Sequence, residues 1–338
     1  MIWVKRVVAI LALAIVVYLF WPLLGQIRAA ADLFTTAHWF WLPVIIFMQL
    51  ISYGFLTWLN LLSLKPFPGR VNFFKMTALL TSMAFIEVAI PSAGASGMAL
   101  RARLLAIFGY SVEAATFSLV LETIYLVIAL ASIALLGIVN LVRLGDLTAT
   151  GLVSMVVAVA FLVAISWWVW RVLNNYVLSH RLLVYIASLW NRVFRRFRIL
   201  DIDTLNERLI TFQADLLKIK DIPQWQFFLS AYARIFIDVL SLGMCFYLFG
   251  YPIPLGTLFT GYGIMVLLSG LAALPGGLGL ADASIPVLFA RLGTPGSYAL
   301  VAGLGYRLLA FWFLRFIGFV SWQYLEADHV DRADSSTL

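Results

Sequence analysis

The stretch that decides the fold is a proline–glycine break late in the chain, Leu274-Pro275-Gly276-Gly277-Leu278-Gly279-Leu280-Ala281-Asp282. It follows an apolar run at residues 255–274 and leads into a shorter apolar stretch at residues 276–292. Proline interrupts a helix, and the second stretch is shorter than the roughly 20 residues that a membrane-spanning helix needs. The break therefore predicts a re-entrant hairpin of two helices that turns at its proline.

An earlier break has the same setting. Its sequence is Ile90-Pro91-Ser92-Ala93-Gly94-Ala95-Ser96-Gly97, between an apolar run at residues 73–90 and a short stretch at residues 92–108. An offset of 184 residues aligns the two prolines, and it also aligns Gly109 with Gly293 and Ala115 with Ala299. We therefore predict an internal repeat with copies at about 73–141 and 255–322.

The composition is that of a membrane protein. Of the 338 residues, 63% are hydrophobic and 12% are charged, and the mean hydropathy is +1.00. Soluble domains carry about 25% charged residues because they need a polar surface. We predict an all-α polytopic membrane protein with six full spans, at residues 3–24, 42–64, 116–141, 151–172, 225–249 and 298–322. A cleaved signal peptide is the alternative interpretation of residues 3–24.

The remaining composition excludes several other classes. The three histidines are far apart in sequence, and Cys245 is the single cysteine, so we expect no metal site, no cofactor and no disulfide within the chain. The net charge of +7 is expected to orient the chain in the membrane rather than to bind nucleic acid.

The distribution of basic residues predicts the topology. If every long apolar run crossed the membrane, basic segments would lie outside, against the positive-inside rule. If residues 73–108 and 255–292 are re-entrant hairpins, six spans remain, and both termini and the Arg-rich segment 174–223 lie inside. The two hairpins then enter from opposite faces, as in transporters with inverted repeats. The expected location is a prokaryotic inner membrane, with one transmembrane domain at residues 1–328 and a polar tail at 329–338.

The linker at residues 174–223 is the only long polar segment. It contains a basic amphipathic helix at 182–197 and a second helix at 205–220, for which Thr204-Leu205-Asn206-Glu207 predicts a capping box. The pair Asp201 and Asp203 is expected to flank the start of that helix rather than to bind a metal. The linker either lies on an anionic membrane surface or packs under its own bundle, and the sequence favours neither alternative strongly.

Charged residues inside apolar runs are the candidates for function, because each costs roughly 2.5–3.5 kcal/mol to insert and normally pairs or lines a cavity. They are Glu87, Arg101, Arg103, Glu122, Arg234, Asp238, Asp282, Arg307 and Arg315. Glu122 and Arg307 occupy nearly equivalent places in the repeat, and we expect them to face each other. Arg234 and Asp238 are four residues apart, so they are expected to pair within one helix. Arg101 and Arg103 either snorkel to the cytoplasmic interface or take part in a functional site.

These residues predict a head-group site between the hairpins. Arginine fits phosphate bidentately, free N–H groups after each proline attract anions, and acidic side chains can hold an amine or sugar hydroxyls. The residues predicted to bind the head group are Arg307, Asp282, Glu122, Pro275, Gly276, Gly277, Gly279, Pro91, Gly94, Glu87, Arg101 and Arg315.

The break at 274–282 resembles the PGGLGxxE signature of flippase-like integral membrane proteins, also called the lysylphosphatidylglycerol synthase transmembrane region family. The stretch from Pro91 to Gly109, the Tyr306-Arg307 pair and Arg315 also look like that family. Asp282 stands where the family usually has Glu, and Thr123 follows Glu122 where a basic residue is common. The first break is also poorer in glycine than the family pattern. These departures affect the prediction of the transported lipid more than the prediction of the fold.

The resemblance implies lipid translocation between leaflets. Its expected partners are an anionic or aminoacylated phospholipid or a polyprenyl-linked lipid, and a homo-oligomer is left open. The chain ends at Leu338 after a short polar tail, so we expect a stand-alone member without the soluble aminoacyl-transferase domain and without lysyl-lipid synthesis.

Two other functions stay open at this point. A membrane-embedded transferase would need clustered carboxylates or histidines, which the predicted hairpins lack, so we do not expect an enzyme. A non-transporting accessory subunit would dock partners through the linker. No Gly-x-x-x-x-Gly-Lys-Ser/Thr motif is present, so ATP binding through that motif is not expected.

Overall fold

The computed structural model describes residues 27–90, 95–144, 149–193, 201–271 and 280–335, and its regular elements there are helices. The helices are α1 Ile27–Thr36, α2 Leu42–Leu64, α3 Phe73–Ala89, α4 Ala95–Ile107, α5 Val112–Leu144, α6 Ala149–Leu173, α7 Tyr176–Val193, α8 Ile202–Leu217, α9 Gln224–Leu248, α10 Leu255–Leu271, α11 Leu280–Arg291, α12 Gly296–Tyr306 and α13 Leu314–Ser335. Short 3₁₀ turns at Trp39–Trp41 and Lys218–Asp221 precede α2 and follow α8. A π-helical segment, Arg307–Phe313, joins α12 to α13.

Within these residues, four helical stretches are long and apolar enough to cross a membrane. They are Trp39–Leu64, Val112–Arg143, Gln224–Leu248 and Gly296–Glu326. They coincide with four of the six predicted spans, and α2 begins and ends at the predicted residues. The predicted span at 151–172 lies within α6, and the one at 3–24 lies outside the described residues. Pro91, Gly94, Pro275, Gly276, Gly277 and Gly279 also lie outside them.

The two short helices, α4 and α11, end in the same hydrogen-bonded turn. After α4, the Tyr110 N–H donates to the Leu105 carbonyl at 3.1 Å, and Gly109 has a φ of 82°. Glycine adopts this left-handed conformation without steric cost. The residues 184 positions later repeat the turn: Thr294 N–H donates to the Phe289 carbonyl at 3.0 Å, and Gly293 has a φ of 85°.

Helices from the two halves of the chain pack against each other. Helix α3, before the first break, packs along α13, and α10, before the second break, packs along α5. Each therefore lies against the long helix that follows the other break. Helices α2 and α9, which precede the two copies, pack against each other at the centre. The buried core is consequently shared between the two halves of the chain.

Small residues allow the closest of these crossings. A Cβ atom at Gly318 of α13 would overlap the Thr81 carbonyl of α3. A Cβ atom at Gly137 of α5 would lie 2.7 Å from the Thr260 Cα of α10. The Thr260 hydroxyl donates to the Gly137 carbonyl at 3.0 Å. Close backbone approach of this kind is how helices associate where no hydrophobic effect drives them together.

Asp201 caps the first turn of α8. Its Oδ1 accepts the Asp203 N–H at 3.2 Å, and its Oδ2 accepts the Thr204 hydroxyl at 2.5 Å. These hydrogen bonds lower the pKa of Asp201 because they favour the carboxylate. The capping box predicted to begin at Thr204 is therefore wrong, because α8 begins at Ile202 and Thr204 lies inside its first turn. The expected flanking position of Asp201 is confirmed.

The two linker helices have different surroundings. Phe212 of α8 packs against Phe67 and Phe117, with ring centroids 6.1 and 5.4 Å away, so α8 packs under the bundle. Helix α7 begins six residues before the predicted start at 182, and residues 194–200 lie outside the described residues. Its apolar side chains Tyr185, Ile186, Leu189 and Trp190 are exposed, as on a helix at a membrane interface.

We expect Gly318→Ala to lower the free energy of unfolding by about 1–3 kcal/mol, because the new methyl group forces α3 and α13 apart. Gly305→Ala in α12 is the matched control, since its Cβ would meet the Phe249 ring at an ordinary 3.5 Å. Thermal melting of both variants in detergent micelles measures the difference. Equal melting temperatures would contradict the close crossing.

Candidate functional site

Asp238, near the middle of α9, is the hub of a buried polar network. Its Oδ2 accepts the hydroxyls of Tyr262 at 2.7 Å and Tyr306 at 2.9 Å. Its Oδ1 accepts the side-chain amide of Gln49 at 3.0 Å. These donors lie on α10, α12 and α2, so one carboxylate connects four helices from both halves of the chain.

Arg234 lies one turn before Asp238 and has a charged and an aromatic partner. Its guanidinium is 3.4 Å from the Asp238 Oδ1, donates to the Ser52 hydroxyl and lies 5.2 Å from the centroid of the Tyr53 ring. Arg234 is ten residues from the start of α9, or about 15 Å at the helical rise. That is half of the roughly 30 Å hydrocarbon core. The pairing within one helix is confirmed, but Asp238 also binds groups from three other helices.

Two further guanidinium groups flank one aromatic ring at the π-helical segment. The Arg307 Cζ lies 4.0 Å and the Arg315 Cζ lies 3.8 Å from the centroid of the Phe311 ring. The π-helical turn, a feature that is frequent at functional sites, lies at this point in the α12–α13 stretch. Phe311 and Arg307 are buried, and the Arg315 Nε is buried with no hydrogen-bond partner.

Glu87 joins this group from the end of α3. Its carboxylate interacts electrostatically with Arg315. The carboxylate also lies against Gly97 in the first turn of α4, where any side chain at 97 would overlap it. A helix N-terminus attracts negative charge. Glu87 therefore supplies a carboxylate at the position where the sequence predicted a bound anion.

We call these residues the central cluster. It consists of Gln49, Tyr53, Glu87, Arg234, Asp238, Tyr262, Tyr306, Arg307, Phe311 and Arg315. Among these described side chains, three guanidinium groups accompany two carboxylates. Arg315 interacts electrostatically with Arg234, Arg307 and Glu87, so the charges act on one another. Such a set is suited to a ligand that carries negative charge and hydrogen-bonding groups.

A second buried network, the first-copy cluster, surrounds Arg101 on α4. The guanidinium is 3.0 Å from the Glu122 Oε2 and donates to the Ser118 hydroxyl at 2.6 Å and to the Asn60 side-chain carbonyl. Arg101 is 1% exposed and Glu122 is 14% exposed. The alternative in which Arg101 snorkels to the interface is therefore wrong, because its partners on α2 and α5 hold it inside the bundle. Arg103 is exposed and pairs with Glu326 at 3.2 Å.

The predicted site residues thus divide between two places. Glu87, Arg307 and Arg315 come together in the central cluster, whereas Arg101 and Glu122 form the first-copy cluster. The ion pair that Glu122 makes is with Arg101, not the expected one with Arg307. Asp282 is the third residue of α11, but its side chain is outside the described part. The glycines and prolines of the two breaks are outside it as well.

Sequence reasoning left several residues out of the site. Gln49, Tyr53, Asp238 and Tyr262 were not among the predicted ligands, because most of their partners lie on other helices, distant in sequence. Gln49 and Asp238, for example, are 189 positions apart. The available signal was the cost of burying Gln49 and Asp238, which are both buried polar side chains.

The described residues contain no group of three or more His, Cys, Asp or Glu side chains that would hold a metal ion. The central cluster itself presents guanidinium, carboxylate, phenol and amide groups. These groups bind and orient polar ligands through hydrogen bonds.

One comparison with known proteins gives a match. The sequence model of a family described as the lysylphosphatidylglycerol synthase TM region matches residues 9–318. The matched segment contains every residue of the central cluster and of the first-copy cluster. No curated protein in a separate comparison matches this chain.

We expect Arg101→Met to lower the free energy of unfolding by about 3–5 kcal/mol, because it leaves the buried Glu122 carboxylate without its cation. Arg103→Met on the same helix removes an exposed pair and should cost less than about 1 kcal/mol. Thermal melting in detergent compares them. The double variant Arg101→Met, Glu122→Gln should recover part of the loss, and equal effects of the two single variants would contradict the assignment.

Tyr262→Phe and Tyr306→Phe should each lower the free energy of unfolding by about 1.5–3 kcal/mol, because each removes a hydrogen bond to a charged oxygen. The double variant should lose more than the sum, since the Asp238 Oδ2 then keeps neither phenol donor. Tyr324→Phe, on the exposed face of α13, is the control. Strictly additive losses would show that the two phenols do not share the carboxylate oxygen.

Proposed function

Because the chain belongs to the family of the lysylphosphatidylglycerol synthase transmembrane region, we propose that it moves a lipid between the two leaflets of a membrane. The central cluster supports this proposal. It brings guanidinium groups, carboxylates and phenols from both halves of the chain together beside the middle of α9, one of the helices long and apolar enough to cross a membrane. A head group that crosses the hydrocarbon core needs polar partners there.

The chemistry of the cluster matches a phosphate-containing head group. Arg307 and Arg315, both within about 4 Å of the centroid of the Phe311 ring, offer donors to phosphate oxygens. The Arg315 Nε is buried without a partner, and a bound phosphate would satisfy it. Glu87 adds a carboxylate for an amine or sugar hydroxyls. The cargo we propose is an anionic or aminoacylated phospholipid, or a polyprenyl-linked lipid, and we propose transport rather than an enzymatic reaction.

The arrangement of the two copies supports a transporter architecture. Helices α4 and α11 end in equivalent turns. Helix α3 packs against α13 and helix α10 packs against α5, so each lies against the long helix of the other proposed copy. Both features are expected of an inverted repeat. In this proposal residues 73–108 and 255–292 are re-entrant hairpins, six spans cross a prokaryotic inner membrane, and both termini are cytoplasmic. The hairpins then meet beside the central cluster, where broken helices give the head group its path.

Reconstitution in liposomes tests this function. Head-group-labelled phosphatidylglycerol, its aminoacyl form and a labelled polyprenyl-phosphate sugar are each added in trace amounts, and a membrane-impermeant quencher reports movement between leaflets. We expect Arg307→Gln and Arg315→Gln to slow movement at least about tenfold, equivalent to about 1.4 kcal/mol of lost stabilisation in the rate-limiting state. Arg103→Gln, which changes the exposed Glu326 pair, should leave the rate unchanged.

Each outcome has a distinct meaning when the variants melt like the wild type. Movement that is lost in both cluster variants supports translocation through the central cluster. Movement that both retain rejects the cluster as the head-group site. If wild-type protein moves none of these lipids, the translocation proposal fails.

A further inference from the structure

An amphipathic cleft lies between the linker helices and the start of α5, away from the central cluster. Its apolar part has a volume of about 280 Å³ and is walled by three helices. The side chains that form these walls are Val112, Thr116, Phe117 and Val120 of α5, Leu183 of α7, and Leu205, Leu209 and Phe212 of α8.

A second recess of about 290 Å³, with more polar groups in its walls, adjoins the apolar part. Glu113, Arg208 and Phe212 line both spaces, whereas Glu207 lines the recess but not the apolar part. Arg208 and Glu113 pair at 3.0 Å at the junction, with 60% and 31% of their side chains exposed. Charged groups therefore stand where the apolar cleft ends, and exposure leaves them accessible to a ligand.

The shape matches one molecule with an apolar tail and a small charged head. We infer that this cleft binds a phospholipid with a zwitterionic ethanolamine head group, its acyl chain in the apolar part and its head group at Arg208, Glu113 and Glu207. The exposed apolar face of α7 supports a lipid environment beside the cleft, because Tyr185, Ile186, Leu189 and Trp190 would otherwise face water.

Charge complementarity selects the head group. The recess is lined by one guanidinium and two carboxylates, so a lipid with a phosphate and no amine meets an excess of negative charge there. An ethanolamine head group places an ammonium only a few bonds from its phosphate. That spacing suits a guanidinium and a carboxylate that are adjacent. An aminoacylated head group places its amine farther from the phosphate.

The test uses the whole protein in dodecyl maltoside micelles and a phosphatidylethanolamine probe with a diazirine near the end of one acyl chain. Irradiation followed by peptide mapping locates the bound chain. We expect crosslinks within residues 112–120 and 205–212 and at Leu183 of α7, the three walls of the cleft. Unlabelled phosphatidylethanolamine should compete about tenfold better than phosphatidylglycerol, and Glu113→Gln should reduce that preference.

Cleft-filling variants provide the matched comparison. Leu209→Trp fills the apolar part and should reduce the crosslink yield about tenfold, whereas Ile210→Trp, exposed on the next position of α8, should not. Val120→Trp fills the cleft from α5, and it replaces Leu209→Trp in the comparison if that variant does not fold. Crosslinks spread over other helices, equal yields in the filled and control variants, or stronger competition by phosphatidylglycerol or its aminoacyl form would overturn the inference. Translocation in liposomes can fail without affecting any of these results.

Discussion

The absence of water from the hydrocarbon core is the constraint on which this structure depends. A charged side chain at that depth must find partners inside the protein, because lipid offers none. Asp238 meets the requirement with two phenols, an amide and a guanidinium drawn from four helices. Arg101 meets it with a carboxylate, a hydroxyl and an amide carbonyl. Each charge thereby ties several helices together.

These hydrogen bonds and ion pairs connect the two halves of the chain as well as helices within each half. Helix α3 lies against α13 and helix α10 lies against α5, and the central cluster includes side chains of α2 and α9, which pack together. A structure of this kind has no separate first and second half that would be stable alone. A ligand at the central cluster would touch groups from both halves, so its binding would be coupled to their relative arrangement.

The linker differs from the bundle because its described charged side chains are exposed to solvent. Its ion pair between Arg208 and Glu113 is largely exposed, so water screens it and its contribution to stability is small. The aromatic contacts of Phe212 with Phe67 and Phe117 anchor α8 instead. An exposed ion pair beside an apolar cleft can exchange partners at low cost, whereas the buried pairs of the bundle cannot. The exposed pair therefore suits a binding site at the edge of the protein. The buried pairs suit a site inside the helix bundle.

The apolar runs predicted the four stretches that are long enough to cross a membrane, whereas the two linker helices begin at other residues than expected. Apolar length and the positions of proline and glycine are local properties, so α2 has the predicted bounds, and Gly109 and Gly293, paired by the offset of 184, share a left-handed turn. The tertiary structure decided the partners of the buried charges. Glu122 pairs with Arg101, Asp238 accepts hydrogen bonds from phenols on two other helices, and Arg315 and Arg307 both lie against the Phe311 ring. Helical periodicity places a charge on a face but does not say which helix that face meets, because the partners are brought together only when distant segments pack.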